Sequence, residues 1–482
     1  MPDPGSPAAL LRHWRAGRVE ADALAALEQW WHAEGAALSD TVDRAGTPPL
    51  RMHDRFGNRV DAIDYPAGYR ALLGRGYREG VVARAVEERS LLPGYALGYV
   101  TAFFDPGLYC PYTVSLGTVV PLLKYAPADL RDRLLPRLAC RDGRAWQGAT
   151  WMTEAGGGSD LGAGVRTTAR ETGAGWRLDG EKYFASNAGA ELAVVAARPA
   201  GAPDGIRGLA LFLVPRARSD GGLNYRIRRL KDKIATRSVP TGEIELDDAE
   251  AWLLGPPGEG IYQIMEVLNV SRVANSVAAA ALVQRALAEA LDFARGRRAF
   301  GRPVAEQPLF RAQAEDRARA AARGVRARLG RGRRARGRVA GDAAVLAALP
   351  AFRLLAHLAK YWTAAEAIDA ARWAMEALGG NGAIVDFGVE RLQREAMILS
   401  IWEGTPHRQM LDGLAVMRRE RAHEALFAWL GEPQGTAAQR AAIEALLARD
   451  EEAQAAGIEP VFAGLAAWTA DCLARALPAG AQ

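Results

Sequence analysis

Glu403 is the residue of this chain best placed to do chemistry. It stands in Ile401-Trp402-Glu403-Gly404-Thr405, with Leu399, Ile401 and Trp402 before it and Gly404-Thr405 after it. An apolar helix or strand end that delivers one carboxylate into a pocket suits a general base, because burial raises the carboxyl pKa toward the operating pH. Removing a proton next to a carbonyl needs such a base. It also needs polarisation of the carbonyl oxygen.

Other fragments could supply the rest. Gly379 and Gly380 follow Glu376 and lie in Leu378-Gly379-Gly380-Asn381-Gly382, ahead of Glu403. Far upstream, Trp151-Met152-Thr153-Glu154 leads into Gly156-Gly157-Gly158-Ser159-Asp160, a loop whose backbone can approach a ligand closely. Leu178-Asp179-Gly180-Glu181-Lys182-Tyr183-Phe184-Ala185-Ser186-Asn187 places an aromatic residue two positions before a hydroxyl. Arg272 ends Asn269-Val270-Ser271-Arg272, and Arg297 opens Arg297-Arg298-Ala299-Phe300-Gly301. Singly, each has a plainer reading: a surface glutamate at a loop start, a glycine turn, barrel core for Phe184, a helix-surface arginine.

The chain has 482 residues, enough for two to four structural units. About half its residues are apolar and a quarter charged, as in ordinary globular proteins. Runs such as Leu209–Val214 and Val277–Val283 are much shorter than the roughly 20 residues of a membrane span. Met1-Pro2-Asp3-Pro4-Gly5 lacks the basic and apolar regions of a signal peptide. Cys110, Cys140 and Cys472 are scattered, which suits free thiols in a reducing cytoplasm. The histidines show no H-x-x-x-H or H-x-x-E-H spacing, so no metal site is expected. A net charge of +5 and a pI of 9.2 suit an anionic partner, whether a coenzyme phosphate or a nucleic acid.

The elements that must hold these residues change character twice. Residues 1–146 read mainly as helix, with apolar spacing at Ala21–Ala33, Ala67–Leu73 and Gly80–Glu88 and a buried stretch at Val114–Tyr125. Residues 147–256 read as strands. Val165–Glu171 and Trp176–Tyr183 flank the hairpin loop Thr172-Gly173-Ala174-Gly175, and Leu192–Ala197, Leu209–Val214 and Gly242–Leu246 follow. A compact β-barrel or sandwich is expected there. Residues 257–420 return to long Ala-rich helices, at 273–295 and 351–378, in the manner of a bundle. Residues 421–482 form a helical extension with amphipathic stretches at Ala437–Arg449 and Val461–Leu477. Arg317–Arg338 stands apart, with ten arginines, four glycines and no acid. Its plain reading is a solvated, partly frayed helix or loop; an anion or nucleic-acid patch and a frame-shifted segment are the alternatives.

In this order and spacing the fragments resemble the acyl-CoA dehydrogenases, flavoenzymes that remove two hydrogens from an acyl thioester. The resemblance covers roughly residues 65–420, and the wording around Arg229-Leu230-Lys231-Asp232-Lys233 and Ile401-Trp402-Glu403 is nearest to the alkylation-response (AidB-like) branch. It implies an α+β fold: an N-terminal helical domain, a middle β domain and a C-terminal four-helix bundle. FAD would lie extended between the β domain and the bundle, with no Rossmann domain, since no G-x-G-x-x-G follows a strand.

Site roles follow from the same resemblance. Glu403 takes the alpha proton, its N–H helps polarise the thioester carbonyl, and flavin N5 takes the beta hydride. Ser271, at the alternative base position before Arg272, cannot serve. Arg272, Ser159 and Gly404 would touch the substrate, Arg272 steadying its coenzyme A or pantetheine arm. Met152, Thr153, Ser159, Phe184 and Ser186 would surround the flavin. Arg297 and Phe300 would reach the FAD of a neighbouring subunit, Arg297 at the pyrophosphate. Gln307 would lie near the adenine, Glu376, Gly379 and Gly380 near the pyrophosphate, and Thr405 at the adenosine side. A homodimer or homotetramer is implied, with an acyl-CoA or acyl-carrier substrate and an electron-transfer flavoprotein as acceptor. Pro406-His407-Arg408-Gln409 departs from the family's polar run. The alternatives are a DNA-associated flavoprotein with vestigial activity and a flavin monooxygenase or oxidase on the same fold.

Overall fold

A computed structural model of the chain describes residues 3–13, 19–173, 175–329 and 343–475. The chain divides into two compact units. One comprises Trp30–Leu97 and Phe104–Ser271; the other comprises Met1–Gln29, Gly98–Phe103 and Arg272–Gln482.

The first unit is built around a barrel. A hairpin of β1 (Leu50–His53) and β2 (Arg59–Ile63) precedes it. Its strands are β3 (Gly148–Trp151), β4 (Thr168–Thr172), β5 (Gly175–Ser186), β6 (Leu192–Pro199), β7 (Ala210–Pro215), β8 (Arg226–Leu230) and β9 (Thr241–Leu254). The path β6-β4-β5-β9-β7 returns to β6, which closes the sheet, and β3 runs parallel beside β6. β6 and β7 are apolar almost throughout because both of their faces are covered. Trp151, Leu178, Val195, Phe212, Tyr225, Ile227 and Ile244 fill the interior, and helix Tyr109–Tyr125 packs on β3 and β6. The long partners β5 and β9 shift register between Leu178 and Gly180. Gly180 there has φ +151°, and a Cβ would stand 2.6 Å from the Thr167 hydroxyl, so only glycine fits the bend.

The second unit is helical. It takes helix Gly260–Gly296 from Arg272 onward, then helices Pro308–Leu329, Ala343–Leu378, Val389–Ile401 and Pro406–Glu420. Helices Ala422–Leu430, Thr436–Leu447 and Glu451–Arg475 complete it. Leu354, Leu358, Met410, Leu414, Met417, Phe427, Ile443, Phe462 and Leu465 form one apolar core, so the extension is continuous with the bundle rather than a separate body. Near the N-terminus, Gln284 accepts from the Tyr99 hydroxyl (2.7 Å) and donates to the Pro4 carbonyl (2.9 Å), joining three distant segments.

The expected order of helix, strand and helix holds. Two details differ. Residues 50–63 form a hairpin where mainly helix was expected, because Asp54 accepts from the N–H groups of Phe56 and Asn58 and folds the chain back. The Arg-rich stretch continues as helix to Leu329, and its remainder, with Ala174 and the end of the Val461–Leu477 stretch, lies outside the described residues. Among the described residues no helix is long and apolar enough to cross a membrane.

Candidate active site

Glu403 sits in the turn between helices Val389–Ile401 and Pro406–Glu420. Its φ is +57° and that of Gly404 is +100°, so a non-glycine residue holds a left-handed conformation here. That conformation is uncommon for a glutamate and persists only where the surroundings impose it. The surroundings are three side chains aimed at the carbonyls of the turn. Lys360 Nζ donates to the Ser400 and Gly404 carbonyls, each at 2.7 Å. Gln409 Nε2 donates to the Glu403 and Gly404 carbonyls at 2.9 and 3.0 Å. Arg272 Nε donates to the Glu403 carbonyl at 3.3 Å.

These bonds fix the rest of the network. With its NH2 directed at the turn, Gln409 presents Oε1 to His357 Nδ1 at 2.9 Å, so that nitrogen carries the proton of the neutral ring. Arg272 pairs with Asp412 at 3.1 Å, and Arg408 pairs with the other Asp412 oxygen. Arg272, His357, Lys360 and Gln409 are all buried.

Electrostatics follow from that burial. Glu403 keeps a partial opening to solvent but is densely ringed by protein, and loss of hydration pushes its carboxyl up to about 7. The charges of Arg272 and, less strongly, Lys360 pull the other way. Burial brings Lys360 down to about 7 and His357 to about 4. Burial also lifts Asp412, but its hydrogen bond to Arg408 and the charges of Arg272 and Arg408 hold the group below the ordinary aspartate range. A carboxylate poised near neutrality on a fixed turn can accept a proton and hold it.

Of the other expected residues in this unit, Gly404 lends its carbonyl to Lys360 and Gln409, and Thr405 is exposed at the start of the next helix. Arg297 is exposed, and Phe300 is 99% exposed at the tip of the hairpin Arg298–Ala299 and Arg302–Pro303. Gln307 braces that tip by donating to the Ala299 carbonyl at 3.0 Å. Glu376 is exposed and lies 3.6 Å from Arg372. Gly379 (φ +60°) and Gly380 have open space where a Cβ would stand, so another molecule could approach their backbone.

In the barrel unit, Met152 is buried and Thr153 half-buried. The Tyr183 N–H donates to the Thr153 carbonyl at 3.0 Å, setting this segment beside β5. Phe184 on β5 is 58% exposed. Ser186 lies 3.4 Å from the Thr241 hydroxyl, and its carbonyl accepts from Trp151 Nε1. Ser159 is exposed on the glycine loop. Behind that loop Glu154 accepts from Lys182 Nζ (2.6 Å), the Thr167 hydroxyl (2.6 Å) and the N–H groups of Arg166 and Thr167. Met152, Thr153, Phe184 and Ser186 are therefore neighbours in one unit. Glu403, Gly404, Thr405 and Arg272 are neighbours in the other.

Sequence reading missed Lys360, His357, Gln409 and Asp412. The available signal was polar: His357 and Lys360 stand one helical turn apart in the otherwise apolar or aromatic run Leu354–Trp362. A metal has a weaker claim. Ligand atoms of His423, Glu424 and Glu444 lie within 4.8 Å of one another, but Arg440 pairs with Glu424 and Arg421 with Glu444.

The chain is similar to known proteins over most of its length. Residues 8–142 match the N-terminal domain of the adaptive response protein AidB. Residues 149–249 match the acyl-CoA dehydrogenase middle domain, and residues 258–417 its C-terminal domain. AidB of Escherichia coli (strain K12) is 32% identical over 416 residues, 83% of this chain and 75% of that protein. Acyl-CoA dehydrogenase family member 11 of Caenorhabditis elegans is 32% identical over 389 residues; the match takes in 77% of this chain and 62% of the worm protein's length. Among solved structures, Bd2924 in its apo form superposes with a TM-score of 0.86 at 29% identity, covering 97% of this chain and 95% of that one. Caenorhabditis elegans ACDH-11 in complex with C11-CoA gives 0.80 at 27% identity, covering 94% and 82%. The chain belongs to the acyl-CoA dehydrogenase family of oxidoreductases, and it carries an N-terminal domain of the AidB type.

Proposed function

We infer that the protein removes two hydrogens from an acyl-CoA thioester, with Glu403 as the base that takes the alpha proton. The observation that carries this reading is the Glu403 carboxyl itself: raised to about 7 and fixed on a left-handed turn by three buried side chains. An ionised Glu403 can accept a proton near neutral pH, and the protein packed around it favours the neutral acid that results. The C11-CoA bound to the worm structure supports an acyl thioester as substrate.

The residues present fit FAD. Phe184 offers an exposed aromatic face beside the Thr153 backbone, which suits a flat ring. Exposed Arg297 and the open backbone at Gly379 and Gly380 suit a pyrophosphate. FAD, when bound, supplies the two-electron acceptor for the substrate's beta carbon. Met152, Thr153, Phe184 and Ser186 would hold the ring, and Arg297, Gln307, Glu376, Gly379, Gly380 and Thr405 the remainder. Phe300, Leu309, Phe352 and Ile401 are exposed apolar side chains that a dimer or tetramer would cover. Electrons would leave to an electron-transfer flavoprotein, in the service of acyl-chain metabolism in the cytoplasm.

Anaerobic titration with acyl-CoAs of graded chain length tests this. Bleaching of the oxidised flavin band by one chain class is the expected result, with loss of bleaching but retention of flavin in Glu403→Gln. Full reduction in that variant overturns the assignment of the base.

A further inference from the structure

We propose that Lys360 is a positioning residue for Glu403: its ammonium clamps the Ser400 and Gly404 carbonyls on either side of the glutamate, and its charge keeps the Glu403 carboxylate ionised. This rests on the reading of Glu403 as the base.

A lysine that only capped a helix end would lie at its surface, in the last turn of its own helix. Lys360 does neither. It stands in the interior of helix Ala343–Leu378, is 1% exposed, and reaches the end of a different helix, Val389–Ile401. Burying an ammonium is unfavourable unless an opposite charge or several acceptors compensate. The two carbonyls engage two of its three N–H groups, and the Glu403 carboxylate supplies the opposite charge.

The charged groups around this pair are few among the described residues. Arg272, from helix Gly260–Gly296, bears on both Glu403 and Lys360. Its charge is shared with Asp412, which Arg408 also engages, and His357 stands beside them with a neutral ring. Arg272 does not deprotonate in the working range of pH. Lys360 is thus the titratable cation whose state answers to that of Glu403. Burial brings both groups near 7, Glu403 from below and Lys360 from above, while the charge of each opposes that effect and favours ionisation of the other.

The test compares the flavin-loaded wild type with Lys360→Gln, Lys360→Arg and Glu403→Gln. Glutamine keeps an N–H donor for the carbonyls and removes the charge; arginine keeps the charge. The first readout needs no substrate: the pH midpoint of the Glu403 carboxyl stretch by infrared difference spectroscopy, assigned by its absence in Glu403→Gln. Loss of the opposite charge is expected to raise that midpoint by about one unit in Lys360→Gln and to leave it near wild type in Lys360→Arg. The rate of flavin reduction at pH 7 should fall roughly fivefold in Lys360→Gln as the ionised fraction drops, with acyl-CoA affinity little changed. A folded Lys360→Gln with an unmoved midpoint and unmoved rate overturns the proposal.

Should Lys360→Gln not fold, the reciprocal measurement decides. Nitrogen NMR of lysine-labelled protein is expected to show Lys360 titrating at lower pH in Glu403→Gln than in wild type, and equal titration overturns the proposal. The two readings separate cleanly. If no thioester reduces the wild-type flavin while the midpoint still moves, the functional reading falls and the pairing stands. If reduction depends on Glu403 but the midpoint ignores Lys360, the functional reading stands and this inference falls.

Discussion

Arg272 holds Glu403 by two means at once. Its Nε donates to the glutamate's own carbonyl at 3.3 Å, and its charge is the stronger of the two that oppose the effect of burial on the carboxylate. The group that shapes the left-handed turn is therefore also a group that favours the ionised carboxylate, the form the proposed base needs. The family resemblance implies a grip on the coenzyme A or pantetheine arm. The geometry gives Arg272 work inside the protein, since it is 3% exposed and paired with Asp412.

Removing that guanidinium should be felt in stability before it is felt in substrate binding. Arg272→Met strands Asp412 with Arg408 alone and deprives the Glu403 carbonyl of one donor. Breaking one side of a buried pair is destabilising by about 3 kcal/mol. Arg272→Lys should recover only part of it, because an ammonium lacks the planar, five-donor fork that engages the Glu403 carbonyl and the Asp412 carboxylate together. Urea denaturation of the two variants checks this. An Arg272→Met midpoint equal to wild type would mean the pair contributes nothing.

The raised carboxyl of Glu403 is itself a stability statement. In the unfolded chain a glutamate titrates near 4.5, and in the folded protein Glu403 titrates at about 7. Between those values the folded state binds more protons, so the residue's contribution falls as pH rises and reaches its least favourable level above 7. The difference corresponds to about 3 kcal/mol. Glu403→Gln should therefore raise the melting temperature at pH 8 and change little at pH 4. Melting curves of Glu403→Gln and wild type at both values decide it. Equal shifts at the two would show that the carboxyl is not displaced upward.

What could be read in advance depended on distance along the chain. The Glu403 turn was legible because its apolar lead-in, carboxylate and glycine are contiguous. β6 and β7 were legible as unbroken apolar runs, since the closed barrel covers both their faces. The β1–β2 hairpin was not, because its strands are short and partly polar and the signal lies in the Asp54 side chain. Lys360, His357, Gln409 and Asp412 acquire meaning only through partners on other helices. Arg272 and Asp412 are 140 residues apart, and no local pattern marks the pair. Burial, which turns an ordinary lysine or arginine into a structural cation, is a property of the packed helices rather than of the neighbouring letters.

His357 should make the helical unit sensitive to mild acid. Burial holds its ring neutral down to about pH 4, whereas an exposed histidine protonates near 6.5. Between these values the unfolded chain binds more protons, so stability is fully present above 6.5 and declines as pH falls toward 4. The loss amounts to about 3 kcal/mol across that window. His357→Gln, which keeps a donor for Gln409 Oε1, should flatten this part of the profile. Urea midpoints at pH 4.5 and 7 for both proteins measure the slope. An unchanged slope in the variant would assign the acid sensitivity elsewhere.

The barrel contains a second buried ion pair, and on the proposed placement of the flavin it should bear on cofactor retention. Lys182 on β5 is 1% exposed and donates to Glu154 at 2.6 Å and to the Ala196 carbonyl at 2.8 Å. Glu154 directly follows Thr153, and its oxygens also collect the N–H groups of Arg166 and Thr167. The pair thus ties the Met152–Thr153 segment to β5, where Phe184 is exposed. Lys182→Met leaves a carboxylate without its cation in the barrel interior and should be destabilising by about 3 to 5 kcal/mol. Adding Glu154→Gln removes the stranded charge and keeps one acceptor oxygen, enough for the Arg166 or the Thr167 N–H but not for both, so the double variant should be more stable than Lys182→Met alone but less stable than wild type. Flavin content after gel filtration should follow the same order: highest in wild type, intermediate in the double variant and lowest in Lys182→Met. A Lys182→Met protein that is markedly destabilised yet keeps a full complement of flavin would separate the ion pair from the cofactor and leave it a purely structural element of the barrel.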